Sequence, residues 1–451
     1  MHRYDELTDR IAHAVFGYTK DRLRLEPVPL DHALPVAALE DAAPNLITAA
    51  GNDPDVVLRQ FREVLSLAVI SCDSPRFLAF IPAAPTKAAL LFDMIVSASS
   101  LSGISWLEAA GAVHAENQAL RFLADLAGLP PAAGGCFVQG GSAANLSALA
   151  VARDTARTRH VAHGTGRLRV AVSEQTHSSI ANTMRLLDVA PLVVATEDDR
   201  MTGATLAAAL DADPDPTSVC AVAATAGTTN AGLVDDLAGI ATVCAAHDVW
   251  MHVDAAYGGA ALLAPSVRDR FRGIDAADSL VIDPHKWLFA PFDCAALLYR
   301  QPQLARAVHT QEASYLEVIH DEPDEWNPPD YAYQLTRRAR GLPLWFSLAV
   351  HGADAYREAI ERVLSTARAT ADRIRALPHL ELVRVPELSI VLFRRTGWTS
   401  TDYDAWSARL LDEQIAFVTP SRWHGESVAR LAFLHPETTL DIVDEILATT
   451  A

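Results

Sequence analysis

Four side chains could do chemistry: His177, Thr228, Asp254 and Lys286. Each of them lies at the end of, or shortly after, a short apolar run that is typical of a buried strand. In an open parallel α/β sheet, ligands bind outside the carboxyl ends of the strands, so these side chains would meet in one pocket. A lysine amine can bond covalently to a carbonyl carbon, and an imidazole can transfer protons near neutral pH. The pattern predicts a pocket that combines an amine, a carboxylate and an imidazole.

A glycine-rich segment upstream, at 139–146, has the residue types of an anion-binding turn. Gly140 and Gly141 let the backbone approach a ligand closely, and Ser142 is a good N-cap for a following helix. Free backbone N–H groups at a helix start attract an anion such as phosphate. The segment matches neither GxGxxG nor GxxxxGK[ST], which disfavours a dinucleotide or triphosphate ligand. A plain capped turn is the alternative interpretation.

These parts together match what pyridoxal phosphate needs from a protein. The cofactor requires a lysine for its Schiff base and a carboxylate that keeps its ring nitrogen protonated. It also requires a flat side chain over the ring and a helix terminus for its phosphate. The lysine, the carboxylate, the histidine and the glycine-rich turn therefore suggest a pyridoxal phosphate site.

The elements that must position these residues alternate between short strands and helices from about residue 135 to 300. The predicted strands are 168–173, 219–225, 249–254, 280–283 and 295–299, and the predicted helices are 178–188, 203–211, 235–247 and 255–272. Such alternation is typical of a mostly parallel sheet with helices on both faces. We therefore predict an α/β fold for this part of the chain.

The segments on either side predict two smaller units. Residues 1–70 form an N-terminal helical arm, because apolar residues recur at helical spacing over 1–25. Residues 71–343 form the large α/β domain that would bind the cofactor. Residues 344–451 form a small C-terminal α+β domain. A long arm of this kind is often an oligomerisation device.

The composition excludes several classes of function. Half of the 451 residues are hydrophobic and 21% are charged, so the chain can bury a sizeable core. The net charge of −19 disfavours nucleic acids and anionic membranes as partners. The five cysteines include no CxxC pair, and no apolar run is long enough to span a membrane. With no apolar signal core at the N-terminus, we expect a cytoplasmic protein.

Three motifs are more specific than any single residue: Glu174-Gln-Thr-His-Ser-Ser179, His252-Val-Asp-Ala-Ala-Tyr-Gly-Gly259 and Asp283-Pro-His-Lys-Trp287. In this order they resemble those of the group II pyridoxal-phosphate-dependent amino acid decarboxylases. That family includes aromatic-L-amino-acid, histidine, glutamate and 2,4-diaminobutyrate decarboxylases. The similarity runs from about residue 70 to 350 and more loosely to the C-terminus. It implies the type I fold of pyridoxal phosphate enzymes, like that of aspartate aminotransferase, and a homodimer with shared active sites.

The resemblance implies a role for each residue around the cofactor ring. Lys286 would be the Schiff-base lysine, and Asp254 would pair with the ring nitrogen. His177 would stack on the ring and contact the substrate carboxylate. Ala256 would pack on the opposite ring face, and Thr228 would lie near the phenolic oxygen or near Lys286.

The phosphate-side positions of the family match Ser142, Ala143, Asp283 and His285, next to the glycine pair that includes Gly141. The family often has Asn where this chain has Asp283. A carboxylate beside the phosphate would be repulsive unless it is protonated or turned away.

A tyrosine further along the chain bears on the type of reaction. Residues 313–316, Ala-Ser-Tyr-Leu, resemble the mobile loop of aromatic decarboxylases. In that loop a tyrosine reaches across the dimer interface and protonates the substrate carbon, and Tyr315 would take this role. Related aldehyde synthases carry Phe there, so Tyr315 favours simple decarboxylation over oxidative deamination.

Substrate choice would depend on an apolar slot. The resemblance places it near 77–82 and, from the other subunit, near 101–106. Phe80, Pro82 and Ile104 would line it, which suits an aromatic or large apolar side chain. Arg430 is a candidate to reach the site, with an ion pair elsewhere as the alternative.

The sequence thus predicts a carboxy-lyase that converts an L-amino acid to its amine and CO₂. Alternatives on the same fold are an aldehyde synthase, a transaminase, or a decarboxylase of glutamate or 2,4-diaminobutyrate. A catalytically inactive binding homologue is an alternative of another class. A metal hydrolase built on His252, Asp254 and His285 is disfavoured, because no third ligand follows the first two at a customary spacing.

Overall fold

Short apolar segments form a seven-stranded sheet in the computed structural model, which describes residues 2–159, 167–320 and 325–451. In chain order the strands are β1 (Gly134–Val138), β2 (Arg169–Val172), β3 (Ala190–Val193), β4 (Val219–Thr225), β5 (Trp250–Asp254), β6 (Ser279–Ile282) and β7 (Ala295–Tyr299). They lie in the order β1-β7-β6-β5-β4-β2-β3. Strands β3, β2, β4, β5 and β6 run parallel, and β7 is antiparallel to both of its neighbours. The mostly parallel sheet expected from the sequence is confirmed.

Strand β4 shows why these segments read as continuous apolar runs. All seven of its residues are buried. Ala221 and Ala223 pack into the core on one face of the sheet, whereas Val222 and Ala224 pack into the core on the other. A strand covered on both faces has no solvent side, so its sequence does not alternate between apolar and polar residues.

Helices cover both faces of this sheet. The α-helices of the described ranges are α1 (Glu6–Leu23), α2 (Val36–Ala42), α3 (Pro54–Gln60), α4 (Lys87–Ala98), α5 (Trp106–Leu126), α6 (Gly141–Arg159), α7 (Ser178–Leu186), α8 (Gly203–Asp211), α9 (Leu237–His247), α10 (Pro302–His309), α11 (Leu342–Ala376), α12 (Ser400–Asp412) and α13 (Leu440–Ala448). Helices α6, α7 and α10 pack on one face, and α5, α8 and α9 on the other. The fold is therefore of the three-layer α/β kind.

The C-terminal part of the chain forms a second, antiparallel sheet. Its strands are β8 (Leu380–Leu382), β9 (Ile390–Arg395), β10 (Ser421–Trp423) and β11 (Glu426–Ala432), in the order β10-β11-β9-β8. Its core is continuous with one face of the large sheet, as Phe393 and Leu280 belong to the same buried cluster. This arrangement matches the α+β architecture expected here, while the boundaries after residues 70 and 343 remain predictions.

The helix expected over 255–272 does not form. Three short 3₁₀ turns replace it, at Gly258–Leu263, Arg268–Phe271 and Ile274–Ala276. Glycine weakens a helix interior and proline breaks it, and this segment contains Gly258, Gly259 and Pro265. None of the helices in the described ranges has the length and apolarity needed to cross a membrane.

Candidate active site

The carboxyl ends of the central parallel strands and the start of α6 surround a cavity of about 360 Å³. Most of the residues expected at the cofactor line it: Gly141, Ser142, His177, Asp254, Ala256, Asp283, His285 and Lys286. They come from four separate connections after strands, which parallel strand order brings to one edge of the sheet. The single pocket expected from the strand-end pattern is present.

Two cofactor-site candidates lie beside this cavity rather than on its wall. Ala143 is buried in the core between α6 and the sheet. Thr228 is also buried, and its hydroxyl accepts a hydrogen bond of 3.0 Å from the backbone N–H of Leu233. Thr229, the next residue, lines the cavity instead. A direct role of Ala143 or Thr228 at the cofactor remains a prediction.

The substrate-slot candidates lie apart from the cavity of a single chain. Phe80, Pro82 and Ile104 are not among its lining residues. The ring of Phe80 is mostly exposed and lies 5.9 Å from the ring of Phe417. Tyr315 belongs to the 3₁₀ helix Ser314–His320, but its side chain lies outside the described part of the structure.

Lys286 reaches the cavity from the turn that follows β6. Its Nζ lies 2.9 Å from Oδ2 of Asp283, three residues earlier. The same oxygen accepts the backbone N–H of Gly141 at 3.3 Å. The Asp283 side chain is only 2% exposed. The carboxylate is therefore directed at the start of α6 and is not turned away from it.

His285 lies on the same side of the cavity as Asp283. Its Nε2 is 3.7 Å from Oδ2 of Asp283, and its Nδ1 is 2.7 Å from the carbonyl oxygen of Cys294. Burial lowers the pKa of this imidazole, so it is neutral at physiological pH. A neutral ring adds no positive charge to the phosphate side of the site.

Asp254, at the end of β5, is buried and held by two donors. Its Oδ1 accepts the backbone N–H of Ala256 at 3.1 Å, and its Oδ2 accepts Nδ2 of Asn145 at 2.9 Å. Hydrogen bonds of this kind favour the ionised form of a carboxylate. Sequence reasoning missed Asn145. The sequence did hold one indication of its role: Asn145 follows Gly141 by four residues, so both lie on one face of α6.

His177 caps the start of α7. Its Nδ1 accepts the backbone N–H of Ser179 at 3.2 Å and contacts Oγ of the same residue at 2.8 Å. Since Nδ1 is occupied as an acceptor, the neutral ring carries its proton on Nε2. That leaves an N–H donor on the part of the ring that faces away from α7.

Arg430, on β11, lies beside the cavity without reaching an acid. Its guanidinium donates to the backbone carbonyls of Thr229 and of Asn230. Burial lowers its pKa to about 10. Over the described ranges it makes no ion pair, so the alternative of pairing elsewhere is not seen. Arg430 holds the turn that supplies Thr229 to the cavity wall.

The residues of the cavity fit pyridoxal phosphate. Oγ1 of Thr225 and Oδ1 of Asp283 are buried polar atoms without a hydrogen-bond partner among the described residues. A Cβ at Gly141 would lie 3.0 Å from Asp283 and 3.3 Å from Ala256, so glycine keeps the start of α6 open. The set of an amine, a carboxyl group and an imidazole matches the needs of the cofactor. Across the described residues, no three His, Cys, Asp or Glu side chains cluster as metal ligands would.

Comparison with known proteins agrees with this arrangement. Residues 38–396 match the family model of the pyridoxal-dependent decarboxylase conserved domain. The chain is 29% identical over 437 residues to an aromatic-L-amino-acid decarboxylase of Bacillus atrophaeus, which covers 94% of this chain and 90% of that protein. It is 34% identical over 373 residues to an L-2,4-diaminobutyrate decarboxylase of Rhizobium meliloti, covering 80% and 74% respectively.

A solved structure shows the same fold over the full length of the chain. The structure of the Oryza sativa TDC with PLP and tryptamine superposes with a TM-score of 0.90 at 26% identity, covering 100% of this chain and 99% of that one. The type I fold expected from the sequence is confirmed. The chain belongs to the pyridoxal-dependent decarboxylase family, as an amino acid carboxy-lyase that uses pyridoxal phosphate as its cofactor.

Proposed function

We propose that this enzyme converts an L-amino acid with an aromatic or large apolar side chain to its amine and CO₂. The observation that carries the proposal is the meeting of Lys286, Asp254 and His177 in one cavity. The substrate class is supported by the relative named aromatic-L-amino-acid decarboxylase and by the structural neighbour with tryptamine.

Each of these residues has a distinct task in the proposed reaction. Pyridoxal phosphate, when bound, supplies a ring that accepts the electron pair of the broken carbon–carboxylate bond. Lys286 would hold the cofactor through Nζ, and its amine would exchange with the amine of the substrate and later with that of the product. Asp254 keeps a proton on the ring nitrogen through its negative charge. His177 covers the ring and orients the substrate carboxylate with its Nε2–H.

Tyr315 completes the proposed reaction as the donor of the proton that replaces CO₂ on the substrate carbon. A tyrosine hydroxyl is a proton donor, whereas the phenylalanine of related aldehyde synthases is not. The amine rather than the aldehyde is therefore the proposed product.

The active unit in this proposal is a homodimer with shared active sites. On α4, Leu91 and Ile95 are 48% and 53% exposed and lie one helical turn apart on the same face. Leu107 and Val350 are large apolar residues that are also exposed. A second copy of the chain would cover such apolar surface. It would also bring Ile104 of one subunit to the substrate slot of the other.

A second candidate substrate is L-2,4-diaminobutyrate. The relative with 34% identity is a decarboxylase of that amino acid. Asp293 lines the cavity, and the carboxylate oxygen that does not pair with Arg340 is the candidate to bind the ammonium group of such a side chain. An apolar slot would favour aromatic substrates, whereas an acidic slot would favour 2,4-diaminobutyrate.

A product assay combined with lysine mapping tests the proposal. The purified enzyme with pyridoxal phosphate is given aromatic amino acids, 2,4-diaminobutyrate and glutamate, and amines, aldehydes and CO₂ are quantified by mass spectrometry. We expect amine and CO₂ in equal amounts from an aromatic substrate. Aldehyde as the main product, or turnover restricted to diaminobutyrate, would contradict the proposed reaction or substrate.

The chain has only three lysines, Lys20, Lys87 and Lys286, so the attachment site can be read directly. Borohydride reduction of the loaded enzyme should label Lys286, and Lys286→Ala should lose both the label and turnover. Lys20→Ala and Lys87→Ala are the matched controls and should keep both. A label on either of these two lysines would refute the assignment of Lys286.

A further inference from the structure

Asn145 is the centre of a buried hydrogen-bond network in the wall of the cavity. It lies on α6, is 1% exposed, and its side chain contacts two other elements of the fold, β5 and α7. Its Nδ2 lies 2.9 Å from Oδ2 of Asp254 and 2.9 Å from Oγ of Ser179. Its Oδ1 lies 2.9 Å from Nε2 of His252. The amide oxygen of Asn145 and both hydrogens of its NH₂ group thus have hydrogen-bond partners.

At the end of this network away from Asn145, Trp250 determines which groups donate and which accept. The indole N–H of Trp250, which can only donate, lies 2.8 Å from Oγ of Ser279. The other partner of that hydroxyl within the described ranges is Nδ1 of His252, at 2.8 Å. Ser279 therefore accepts from Trp250 and donates to Nδ1 of His252.

The position of the proton on His252 determines the orientation of the Asn145 amide. Burial lowers the pKa of His252 to about 4, so the imidazole is neutral at physiological pH and carries one proton. With Nδ1 accepting from Ser279, that proton lies on Nε2 and is donated to Oδ1 of Asn145. The amide of Asn145 consequently turns its NH₂ group toward Asp254, whose carboxylate can only accept.

The second proton of the same NH₂ group is directed to His177. It is donated to Oγ of Ser179, whose own hydroxyl proton is then free for Nδ1 of His177, 2.8 Å away. One amide therefore governs both the carboxylate of Asp254 and the tautomer of His177. Both of these side chains line the cavity.

We propose that Asn145 is a positioning residue that holds the carboxylate of Asp254 in place and keeps the proton of His177 on Nε2, with its own orientation set by His252. The inference rests on the roles proposed above for Asp254 and His177. Removal of the donor leaves the buried carboxylate with one hydrogen bond fewer and makes its ionised form less stable. The charge that attracts the protonated ring nitrogen of the cofactor is then weakened.

The isosteric change Asn145→Asp tests this inference most directly. It replaces the NH₂ donor by a carboxylate oxygen that faces Asp254. At high pH the two ionised acids repel each other, and at lower pH a proton shared between them restores a donor to Asp254. We expect the dissociation constant of pyridoxal phosphate, measured by absorbance titration, to rise about 10- to 100-fold at pH 8. Lowering the pH to 6 should recover much of this loss in the variant only.

Two further variants separate positioning from damage to the fold. Asn182→Ala removes an exposed asparagine of α7 and should bind the cofactor as the wild type does. If Asn145→Asp does not fold, as judged by circular dichroism of the cofactor-free protein, Asn145→Ser takes its place. Serine has a shorter side chain whose hydroxyl falls short of Asp254, so the donor is lost without a new charge, and we expect a loss of affinity of about tenfold.

The outcomes distinguish this inference from the proposed function. Wild-type protein that binds the cofactor, together with Asn145 variants of unchanged affinity, would overturn the role of Asn145 alone. A loss of affinity in Asn145→Asp that is equal at pH 8 and pH 6 would also overturn it. Wild-type protein that takes up no cofactor would overturn the proposed function and this inference with it.

Discussion

The carboxylate of Asp283 lies at the start of α6, where we predict that the cofactor phosphate binds. It accepts the N–H of Gly141 and pairs with Lys286, and its second oxygen is buried without a partner among the described residues. Repulsion between this carboxylate and a phosphate group would weaken cofactor binding. The repulsion would be stronger than between two solvent-exposed charges, because water screens charges less inside a buried cavity.

Asp283→Asn should therefore strengthen cofactor binding. Asparagine keeps an oxygen that can accept from Gly141 and removes the negative charge, so we expect the dissociation constant of pyridoxal phosphate to fall about tenfold. Asp293→Asn is the matched control, since Asp293 lines the same cavity but pairs with Arg340. Equal affinities for Asp283→Asn and the wild type would show that the carboxylate does not meet the phosphate.

The buried imidazole of His252 makes the stability of the fold depend on pH. Burial lowers its pKa from 6.5 to about 4, so between these values the unfolded chain binds a proton that the folded chain does not. Its contribution to stability is therefore complete above pH 6.5 and is lost as the pH falls toward 4. At pH 5 the loss relative to pH 7 is about 2 kcal/mol.

Denaturant titration of the cofactor-free protein at pH 7 and pH 5 measures this contribution. His252→Gln cannot take up the proton, so its loss of stability between the two pH values should be smaller than that of the wild type by about 2 kcal/mol. The exposed His2 offers a control, because His2→Gln should leave the wild-type difference unchanged. Identical differences for all three proteins would contradict a lowered pKa for His252.

At the scale of elements, the first turn of α6 combines two tasks. It presents the backbone N–H of Gly141 to the phosphate side of the cavity, and one turn later it places Asn145 against Asp254. The helix itself packs on the large sheet through small buried residues such as Ala144 and Ala148. Small side chains let the helix approach the strand ends closely, which brings its first turn to the site.

The two glycines of this turn give a matched pair of variants. A Cβ at Gly141 would lie 3.0 Å from Asp283 and 3.3 Å from Ala256, whereas one at Gly140 would meet only His285 at 4.0 Å. Gly141→Ala should weaken pyridoxal phosphate binding about tenfold by narrowing the cradle, as absorbance titration would show. Gly140→Ala should bind as the wild type does. If both variants behave alike, close packing at position 141 does not shape the phosphate site.

At the scale of the whole molecule, one chain exposes apolar surface on α4 and holds the predicted substrate-slot residues apart from its cavity. Leu91 and Ile95 of α4 are exposed, and Phe80 and Ile104 do not line the cavity of a single chain. Both observations have the same explanation if a second copy packs on this surface. Hydrophobic burial would then couple assembly to completion of the active site.

The double variant Leu91→Glu/Ile95→Glu should break this assembly, because it buries two charges at the expected interface. Sedimentation should give twice the chain mass of 48.6 kDa for the wild type and a single chain mass for the variant, with loss of turnover. Leu186→Glu, at an exposed leucine of α7, is the control and should remain assembled. A variant that stays assembled would remove α4 from the proposed interface.

Local pattern was enough to predict much of the fold and part of the site. The helix expected over 203–211 matches α8, and the apolar runs match the parallel strands of the large sheet. Lys286, Asp254 and His177 were predicted to share a pocket because strand ends of a parallel sheet meet at one edge. These features depend on short-range sequence and on one general rule of topology, so the sequence by itself determined them.

Only the tertiary structure decided the contacts that depend on distant partners. The role of Asn145 could not be read from its neighbours, since Asp254, Ser179 and His252 lie on other elements and are brought to it by packing of α6 on the sheet. The orientation of Asp283 toward Gly141 likewise depends on two segments 142 residues apart. Hydrogen bonds have strict distance and angle requirements, and no local pattern specifies the distance between separate elements.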